Sequence, residues 1–115
     1  MLFTDPLKQN YAFRRLYARG KSAVTPYLVV YARQTRGARS RIGFSTGTKL
    51  GHAVVRNRVR RRLRELYRLH EAQFIPGAEI VVVARARAVD APWAKLERAF
   101  LTACGKLGLL REQTP

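Results

Sequence analysis

The stretch from Gly51 to His70 limits the possible folds of this chain more than any other. Seven residues between positions 56 and 68 are arginine, and apolar residues recur among them at helical spacing. On a helix that turns about 100° per residue, these apolar residues form one stripe. The stripe consists of Val55, Val59, Leu63 and Leu66, with Leu69 at its margin. The stretch therefore predicts an amphipathic helix that buries one side in its own domain.

The opposite side of this helix is cationic. Its residues are Arg56, Asn57, Arg60, Arg61, Arg64 and Arg68. Arg58 and Arg62 lie near the edge of the stripe, where a long stem can pack while the guanidinium reaches water. Glu65 is the only acid in the stretch, and arginines four residues apart repel each other in an isolated helix. A polyanion would neutralise that repulsion, so the pattern favours nucleic-acid binding over a solvated surface helix.

The charge of the whole chain supports this interpretation. A formal net charge of +16 in 115 residues indicates an anionic partner such as RNA, DNA or anionic lipid. At this length we expect a single RNA-binding domain over 1–115 with one hydrophobic core. The apolar runs are too short to span a bilayer, the N-terminus lacks a secretory pattern, and Cys104 has no second cysteine to pair with. We therefore expect a cytoplasmic protein with no membrane partner.

Catalytic and metal-binding groups are sparse in this sequence. Its seven acids are scattered along the chain, whereas a metal-dependent nuclease needs clustered carboxylates. On one helix, His52 and His70 would lie roughly 27 Å apart, too far to act as an acid–base pair. We therefore predict no catalytic residue, no metal site and no bound cofactor in the protein itself.

The remaining segments predict an α+β fold in which helices pack against one sheet. The predicted elements are a helix over 11–19 capped by Asn10, strands over 27–33 and 40–46, the arginine-rich helix, a strand over 79–84, and a helix from 90 or 91 towards 107. The turn over 34–39 predicts that the first two strands form a hairpin. Residues 109–115 are expected to form a loose tail.

Aromatic residues recur on two of these elements. Phe13 and Tyr17 are four residues apart and share a face of the first helix, which by itself favours simple core packing. In the strand over 27–33, alternation divides the residues between two faces. The less apolar face has Tyr27, Val29, Tyr31 and Arg33.

The run Arg56–Glu65 (Arg-Asn-Arg-Val-Arg-Arg-Arg-Leu-Arg-Glu) resembles the Arg-Asn-Arg motif of the protein subunit of bacterial ribonuclease P. The resemblance extends upstream through 43–45 and 49–55, and it also covers 10–20, 27–32 and 80–85. After Ala88 the chain is similar to the family only in its pattern. Gly47-Thr48-Lys49 stands where the family commonly has Ser-Lys-Lys, and His52 stands where asparagine is usual.

The resemblance implies a fold and a function. In that family a large RNA carries out the endonucleolytic removal of the 5′ leader from precursor tRNA. The chain would then be an RNA-binding accessory subunit of this hydrolase in tRNA processing. Its partners would be the catalytic RNA and precursor tRNA, with magnesium at the RNA active site and no obligate protein partner. The implied fold is a two-layer sandwich of a small mixed β-sheet with helices, containing an unusual left-handed β-α-β crossover through the arginine-rich helix.

The resemblance also implies two sets of RNA-contacting residues. The set that contacts the catalytic RNA is Lys49, Arg56, Asn57, Arg58, Arg60, Arg61, Arg64 and Arg68. The set that holds the single-stranded leader, in a cleft between the first helix and the sheet, is Phe13, Tyr17, Val29, Tyr31 and Arg33. Aromatic rings beside cations suit unpaired nucleotides because stacking tolerates any base. The alternative function is that of a structural ribosomal RNA-binding protein of similar size and charge.

Overall fold

The computed structural model of the chain describes residues 2–37 and 39–111. Its helices are α1 (Asn10–Arg19), α2 (Ala53–His70) and α3 (Trp93–Lys106). Its strands are β1 (Thr4–Pro6), β2 (Lys21–Val24), β3 (Leu28–Gln34), β4 (Ser40–Ser45) and β5 (Ala78–Ala84). Short 3-10 turns occupy Thr48–Leu50, Glu71–Gln73 and Ala86–Ala88. Asn10 is the first residue of α1 and not its cap, and Gln9 precedes the helix without a side-chain capping bond.

The strands form one mixed sheet in the order β1-β4-β5-β3-β2. β4 runs parallel to both of its neighbours, β1 and β5, whereas β3 runs antiparallel to β5 and β2. Since α2 connects the parallel neighbours β4 and β5, the chain contains a β-α-β crossover at the expected place. The left hand of this crossover stays a prediction of the family resemblance.

The predicted hairpin between the strands over 27–33 and 40–46 is wrong. β5 lies between β3 and β4 and pairs with both of them. The turn between β3 and β4 has the same residues whether these strands pair directly or β5 lies between them. The sequence near the turn therefore does not reveal β5, which comes more than thirty residues later in the chain. The sequence analysis also missed β1 and β2, which are the short outer strands of the sheet. Pro6 is tolerated in β1 because an edge strand needs hydrogen bonds on only one side.

Helices cover both faces of the sheet. The larger core cluster lies between one face and the helices α2 and α3, and includes Val30, Ile80 and Phe100. A smaller cluster lies on the opposite face, where α1 buries Leu16 against Val81. The mixed α+β class is therefore confirmed, while α1 adds a partial third layer that the predicted two-layer sandwich did not contain.

The apolar stripe of α2 is buried in its middle. Val59, Leu63 and Leu66 are at most 1% exposed, as the sequence predicts, whereas the marginal Leu69 is 52% exposed. Tyr67 is buried beside them, and its hydroxyl lies 2.6 Å from Thr4 Oγ1, so the buried phenol has a hydrogen-bond partner.

No described helix is both long enough and apolar enough to cross a membrane.

The chain stays attached to the core beyond α3, so the loose tail predicted from position 109 is wrong as far as Arg111. Leu109 is 1% exposed, and its carbonyl oxygen accepts a hydrogen bond from the Ile75 N–H at 2.8 Å. The Arg111 N–H donates to the Gln73 carbonyl at 2.7 Å. Apolar burial and backbone pairing together hold this segment. Residues 112–115 of the predicted tail lie outside the described residues.

Candidate nucleic-acid interface

The cationic side of α2 faces away from the core, as its spacing predicts. Five residues of the predicted RNA-contacting set on this helix are exposed, namely Asn57, Arg58, Arg61, Arg64 and Arg68. Arg56 and Arg60 are partly buried. Within the described part of the chain, Arg56 Nε is buried and has no hydrogen-bond partner. The helix therefore offers a row of guanidinium groups to a partner, with its two half-buried arginines closest to the protein.

Arg60 is held in place by two neighbours. It donates from Nη2 to Thr46 Oγ1 at 2.6 Å and from Nη1 to Asn57 Oδ1 at 2.9 Å. Thr46 is buried where the chain leaves β4. A guanidinium has five N–H donors, so these two bonds leave donors for an anion. Arg60 is consequently preorganised, and little side-chain entropy would be lost when it binds a phosphate.

Arg68 differs from the other exposed arginines because it is already paired. It donates from Nε and Nη2 to the two carboxylate oxygens of Glu65, at 2.9 and 2.5 Å. The hydrogen bonds and charge of Arg68 lower the pKa of Glu65 below its usual value. The only acid on α2 therefore offsets the charge of Arg68.

The sequence analysis placed Arg62 at the stripe edge with its guanidinium in water, whereas in the structure the guanidinium contacts the start of α3. Its Nη2 donates to the Ala91 carbonyl at 2.7 Å, and its guanidinium carbon lies 5.9 Å from the centre of the Trp93 ring. These contacts fix the start of α3 against α2. Arg58, placed at the same edge by the sequence analysis, is exposed and makes no such contact among the described residues.

The approach to α2 presents Lys49 to solvent. This residue is exposed in the 3-10 turn Thr48–Leu50, while Leu50 packs partly against the core. Gly51 then enters the helix with φ of +136°, a backbone conformation that a residue with a Cβ rarely adopts. Gly51 thus allows the change of chain direction between this turn and α2, while Lys49 remains exposed.

Three aromatic rings form a row between α1 and the sheet. The ring centres of Phe13 and Tyr17 are 6.5 Å apart, and those of Tyr17 and Tyr31 are 4.9 Å apart, both in edge-to-face geometry. Tyr17 is 40% exposed, and the other two rings are partly buried. In each edge-to-face pair the edge of one ring covers a face of the other, and Phe13 and Tyr31 also pack against the smaller core cluster. Tyr17 is therefore the ring of this row with the most surface open to a partner.

Helix α1 lies across the strands along one row of the sheet. In that row Gly43 of β4 pairs with Val81 of β5, and Val81 pairs with Tyr31 of β3. Phe13 rests on Gly43, where an added Cβ would lie only 2.4 Å from the ring atom Cζ. A glycine in β4 therefore allows the first ring to reach the sheet.

The sheet is open on one side of α1. Val29 and Val83 pair in the next row, on the same face as the rings, and both are only partly buried. Ser45 pairs with Val83 and extends this floor. Val29 was predicted, whereas Val83 and Ser45 were missed. Residues 80–83 are all apolar, so alternation cannot show which of them face the cleft, and only the pairing with β3 does so.

Arg33 lies on the other side of α1 from this open floor. It pairs in the sheet with Glu79 and donates from Nε to Glu79 Oε1 at 2.6 Å. Arg15 of α1 reaches the same oxygen at 3.4 Å, and the Glu79 side chain is 6% exposed. The structure thus places Arg33 next to Tyr31 on the same face of β3, with its guanidinium bound to Glu79. A buried carboxylate between two arginines ties α1 to the sheet at this point.

The two predicted surfaces meet at Phe13. This ring lines a cavity of about 230 Å³ together with Arg60 and Arg64 of α2. The segment after β1 closes the other wall and includes Lys8, an exposed cation that the sequence analysis missed. An anionic strand could therefore pass from the arginines of α2 to the rings without crossing an uncharged gap.

The described residues bring no catalytic constellation together. Among residues 2–37 and 39–111, no three His, Cys, Asp or Glu residues are grouped so that they could hold a metal ion. His70 Nε2 lies 2.8 Å from Glu97 Oε2 at the far end of α2, and His52 is exposed at the other end. The chemistry this surface supports is binding of a polyanion along α2 and of unpaired bases in the cleft.

The chain is similar to known proteins in both sequence and fold. Residues 3–108 match the family described as Ribonuclease P. The chain is 40% identical over 106 residues to the ribonuclease P protein component of Natranaerobius thermophilus, covering 92% of each chain. It is 42% identical to that of Symbiobacterium thermophilum, covering 93% of this chain and 94% of the relative. Its fold is similar to that of the RNase P protein of Staphylococcus aureus, with a TM-score of 0.83, 28% identity, and coverage of 92% and 97% of the two chains. The RNase P protein of Thermotoga maritima superposes with a TM-score of 0.77 and 26% identity, covering 85% and 93%.

Proposed function

We propose that this chain, which belongs to the ribonuclease P protein family, binds the catalytic RNA of ribonuclease P and the 5′ leader of precursor tRNA. It is the protein component of an endoribonuclease whose catalysis in bacteria is carried out by RNA. The observation that most supports the division of roles is the row of three rings that leads from the arginines of α2 into an open face of the sheet.

The arginine-rich side of α2 is the proposed contact with the catalytic RNA. Arg58, Arg61 and Arg64 are exposed and bind phosphate oxygens through charge-assisted hydrogen bonds. The remaining proposed contacts are Lys49, Arg56, Asn57, Arg60 and Arg68. Among these, Arg60 is preorganised by its bonds to neighbouring side chains, and Arg68 contributes least because Glu65 offsets its charge.

The cleft is the proposed site of the leader. Phe13, Tyr17 and Tyr31 stack on unpaired bases, and Val29 and Val83 form the apolar floor beneath them. Binding of this kind is tolerant of sequence, because every base has an aromatic face. A subunit that assists many precursors with different leaders requires that tolerance.

Arg33 has a different role in this proposal from the one the family resemblance implies. Its guanidinium is bound to the buried Glu79, on the side of α1 away from the open floor. Arg33 and Arg15 together hold α1 on the sheet, and the position of α1 sets the gap between Tyr17 and Tyr31. We therefore expect Arg33 to position the rings and not to touch the leader.

The holoenzyme is expected to function in the cytoplasm with magnesium at the RNA active site. The described residues contain no group that would hold the ion. The protein's own residues bind and orient the two RNAs. Protein freed of RNA should not process precursor tRNA, and activity should require the catalytic RNA.

The test compares precursor and mature tRNA binding to the reconstituted holoenzyme. Tyr31→Ala should weaken precursor binding by roughly 1 to 3 kcal/mol, or about 5- to 150-fold, because one stacking contact is lost. Mature tRNA, which has no leader, should bind as it does to the wild type. Tyr31→Phe keeps the ring and should bind the precursor normally.

Tyr11→Ala provides a matched control on α1. This tyrosine is 59% exposed, and it does not belong to the ring row. A Tyr31→Ala protein that folds normally but loses precursor and mature tRNA equally would contradict the leader assignment. Co-purification of ribosomal RNA in place of a single other RNA would favour the ribosomal alternative.

A further inference from the structure

We infer that the leader of precursor tRNA continues beyond the rings, over the edge strand β2, into a groove between the β2–β3 turn and α3. This inference rests on the proposed function of the aromatic cleft. The groove is a shallow, open depression of about 390 Å³ at the edge of the sheet. Its floor consists of Val24, Pro26, Tyr27 and Ala99, and its rim is formed by cationic residues of α3.

The rim of this groove is cationic along one face of α3. Arg98 and Lys106 follow Lys95 by three and eleven residues, which places all three on one side of the helix, and all three are exposed. None of the ion pairs within the described chain includes any of the three. Glu97 lies on the opposite side of α3, where it pairs with His70. The charges therefore remain available for an anionic occupant.

Two further cations reach the turn from the end of β5. Arg85 Nη1 donates to the Thr25 carbonyl at 2.9 Å, and the guanidinium carbon of Arg87 lies 5.3 Å from the centre of the Tyr27 ring. The Arg87 guanidinium lies over the Tyr27 ring, so this pair offers a phosphate a cation beside an apolar surface. An apolar floor of this kind suits unpaired bases, whereas a duplex exposes mainly its phosphates.

The groove is continuous with the cleft through Val24. This residue pairs with Val29 across β2 and β3, so its side chain points to the face that contains the rings. Val24 is 61% exposed and also lines the groove. An apolar path therefore runs from Tyr31 through Val29 to Val24 and around the sheet edge. The occupant that fits both this path and the charged rim is the same single RNA strand.

The experiment measures holoenzyme affinity for precursors whose leaders grow one nucleotide at a time. For the wild type, affinity should rise in two stages, first as the leader fills the cleft and again as it reaches the groove. The combined variant Lys95→Ala/Arg98→Ala/Lys106→Ala should keep the first stage and lose the second. Its log–log salt slope should fall by roughly 2 with long leaders, at about 0.7 per lost contact on a single strand, and should not change with short ones.

A control with the same loss of charge separates this effect from nonspecific attraction. The control substitutes three exposed arginines outside both sites by alanine, namely Arg19, Arg36 and Arg111. It should keep both stages. Val24→Asp provides a second test, because a carboxylate in the path should repel the strand while an exposed side chain leaves folding intact.

The outcomes distinguish this inference from the proposed function. A wild-type affinity that stops rising after the first stage would overturn the groove but leave the cleft in place. An α3 variant that weakens binding of short-leader precursor and mature tRNA equally would also overturn it, because the groove would then contact another part of the assembly. If affinity does not depend on the leader at all, the proposed function of the cleft fails as well.

Discussion

Gly43→Ala should shift the first ring of the leader cleft and lower the stability of the fold. The added methyl would lie 2.4 Å from Phe13 Cζ, 2.9 Å from Phe13 Cε1 and 3.2 Å from the Leu7 carbonyl oxygen. Carbon atoms in favourable contact are about 3.5 to 4.0 Å apart, so the ring must move by about 1 Å. The φ angle of Gly43 is not positive, so overcrowding and not backbone strain is the cause.

The cost follows from overpacking a formed interface. Insertion of a methyl into a packed site typically costs about 1 to 3 kcal/mol. Unfolding entropy scales with length, so in 115 residues each kcal/mol lowers Tm by about 4 °C, and the expected decrease is about 4 to 12 °C. A displaced Phe13 also loses its alignment with Tyr17, so the advantage of precursor over mature tRNA should become smaller.

The assay combines thermal unfolding with the two tRNA affinities, and Gly47→Ala is the matched control. An added Cβ at Gly47 meets no described heavy atom within 4 Å, and its φ of −73° suits alanine. That substitution should leave stability unchanged or raise it by up to about 1 kcal/mol, because alanine restricts the unfolded chain. Gly43→Ala should thus lower the stability clearly, whereas Gly47→Ala should leave it unchanged or raise it.

A double-mutant cycle identifies Phe13 as the cause. In a Phe13→Ala background the ring is absent, so Gly43→Ala should cost much less than in the wild type. If Gly43→Ala is as stable as the wild type and binds precursor tRNA normally, Phe13 does not rest on β4, and the inferred path of α1 over the sheet is refuted.

Three further predictions concern α2 and the N-terminus. Arg61→Ala should reduce the log–log salt slope of catalytic-RNA binding by roughly 0.7 to 0.9. Tm should change little, because the residue is exposed. An unchanged slope with a lower Tm would contradict a phosphate contact. Leu63→Ala should cost about 2 to 5 kcal/mol in denaturant unfolding because the side chain is fully buried, and a loss well below 1 kcal/mol would show that α2 packs differently. Burial raises the pKa of Glu71, but the hydrogen bonds that its carboxylate accepts from the N–H groups of Leu2 and Phe3 outweigh burial and lower it overall. The stability that this contact contributes should therefore be complete above the unfolded pKa of about 4.3, and it should be lost as pH falls through the folded pKa. Glu71→Gln should remove this pH-dependent contribution when the free energy of unfolding is measured against pH.

The sequence by itself determined the arginine-rich helix and its orientation. Burial of Val59 and Leu63 and exposure of Arg61 follow from a 3.6-residue period sustained over eighteen residues. Such a period is local information, because each residue's side of a helix depends only on its near neighbours. Alternation in β3 likewise separated the buried Val30 from the partly exposed Tyr31. The role of the rings, in contrast, came from resemblance, since their spacing alone favoured core packing.

Only the tertiary structure decided which strands are neighbours. β5 lies between β3 and β4 although they follow one another in the chain, and this placement gives Arg33 its bond to Glu79. It also exposes Val83 in the cleft, which four consecutive apolar residues could not reveal. A strand's pairing partner depends on the free energies of contacts distant in sequence, because any extended segment offers the same backbone donors and acceptors. Periodicity records which side of an element is buried, whereas the choice among partners is made only when the whole sheet forms.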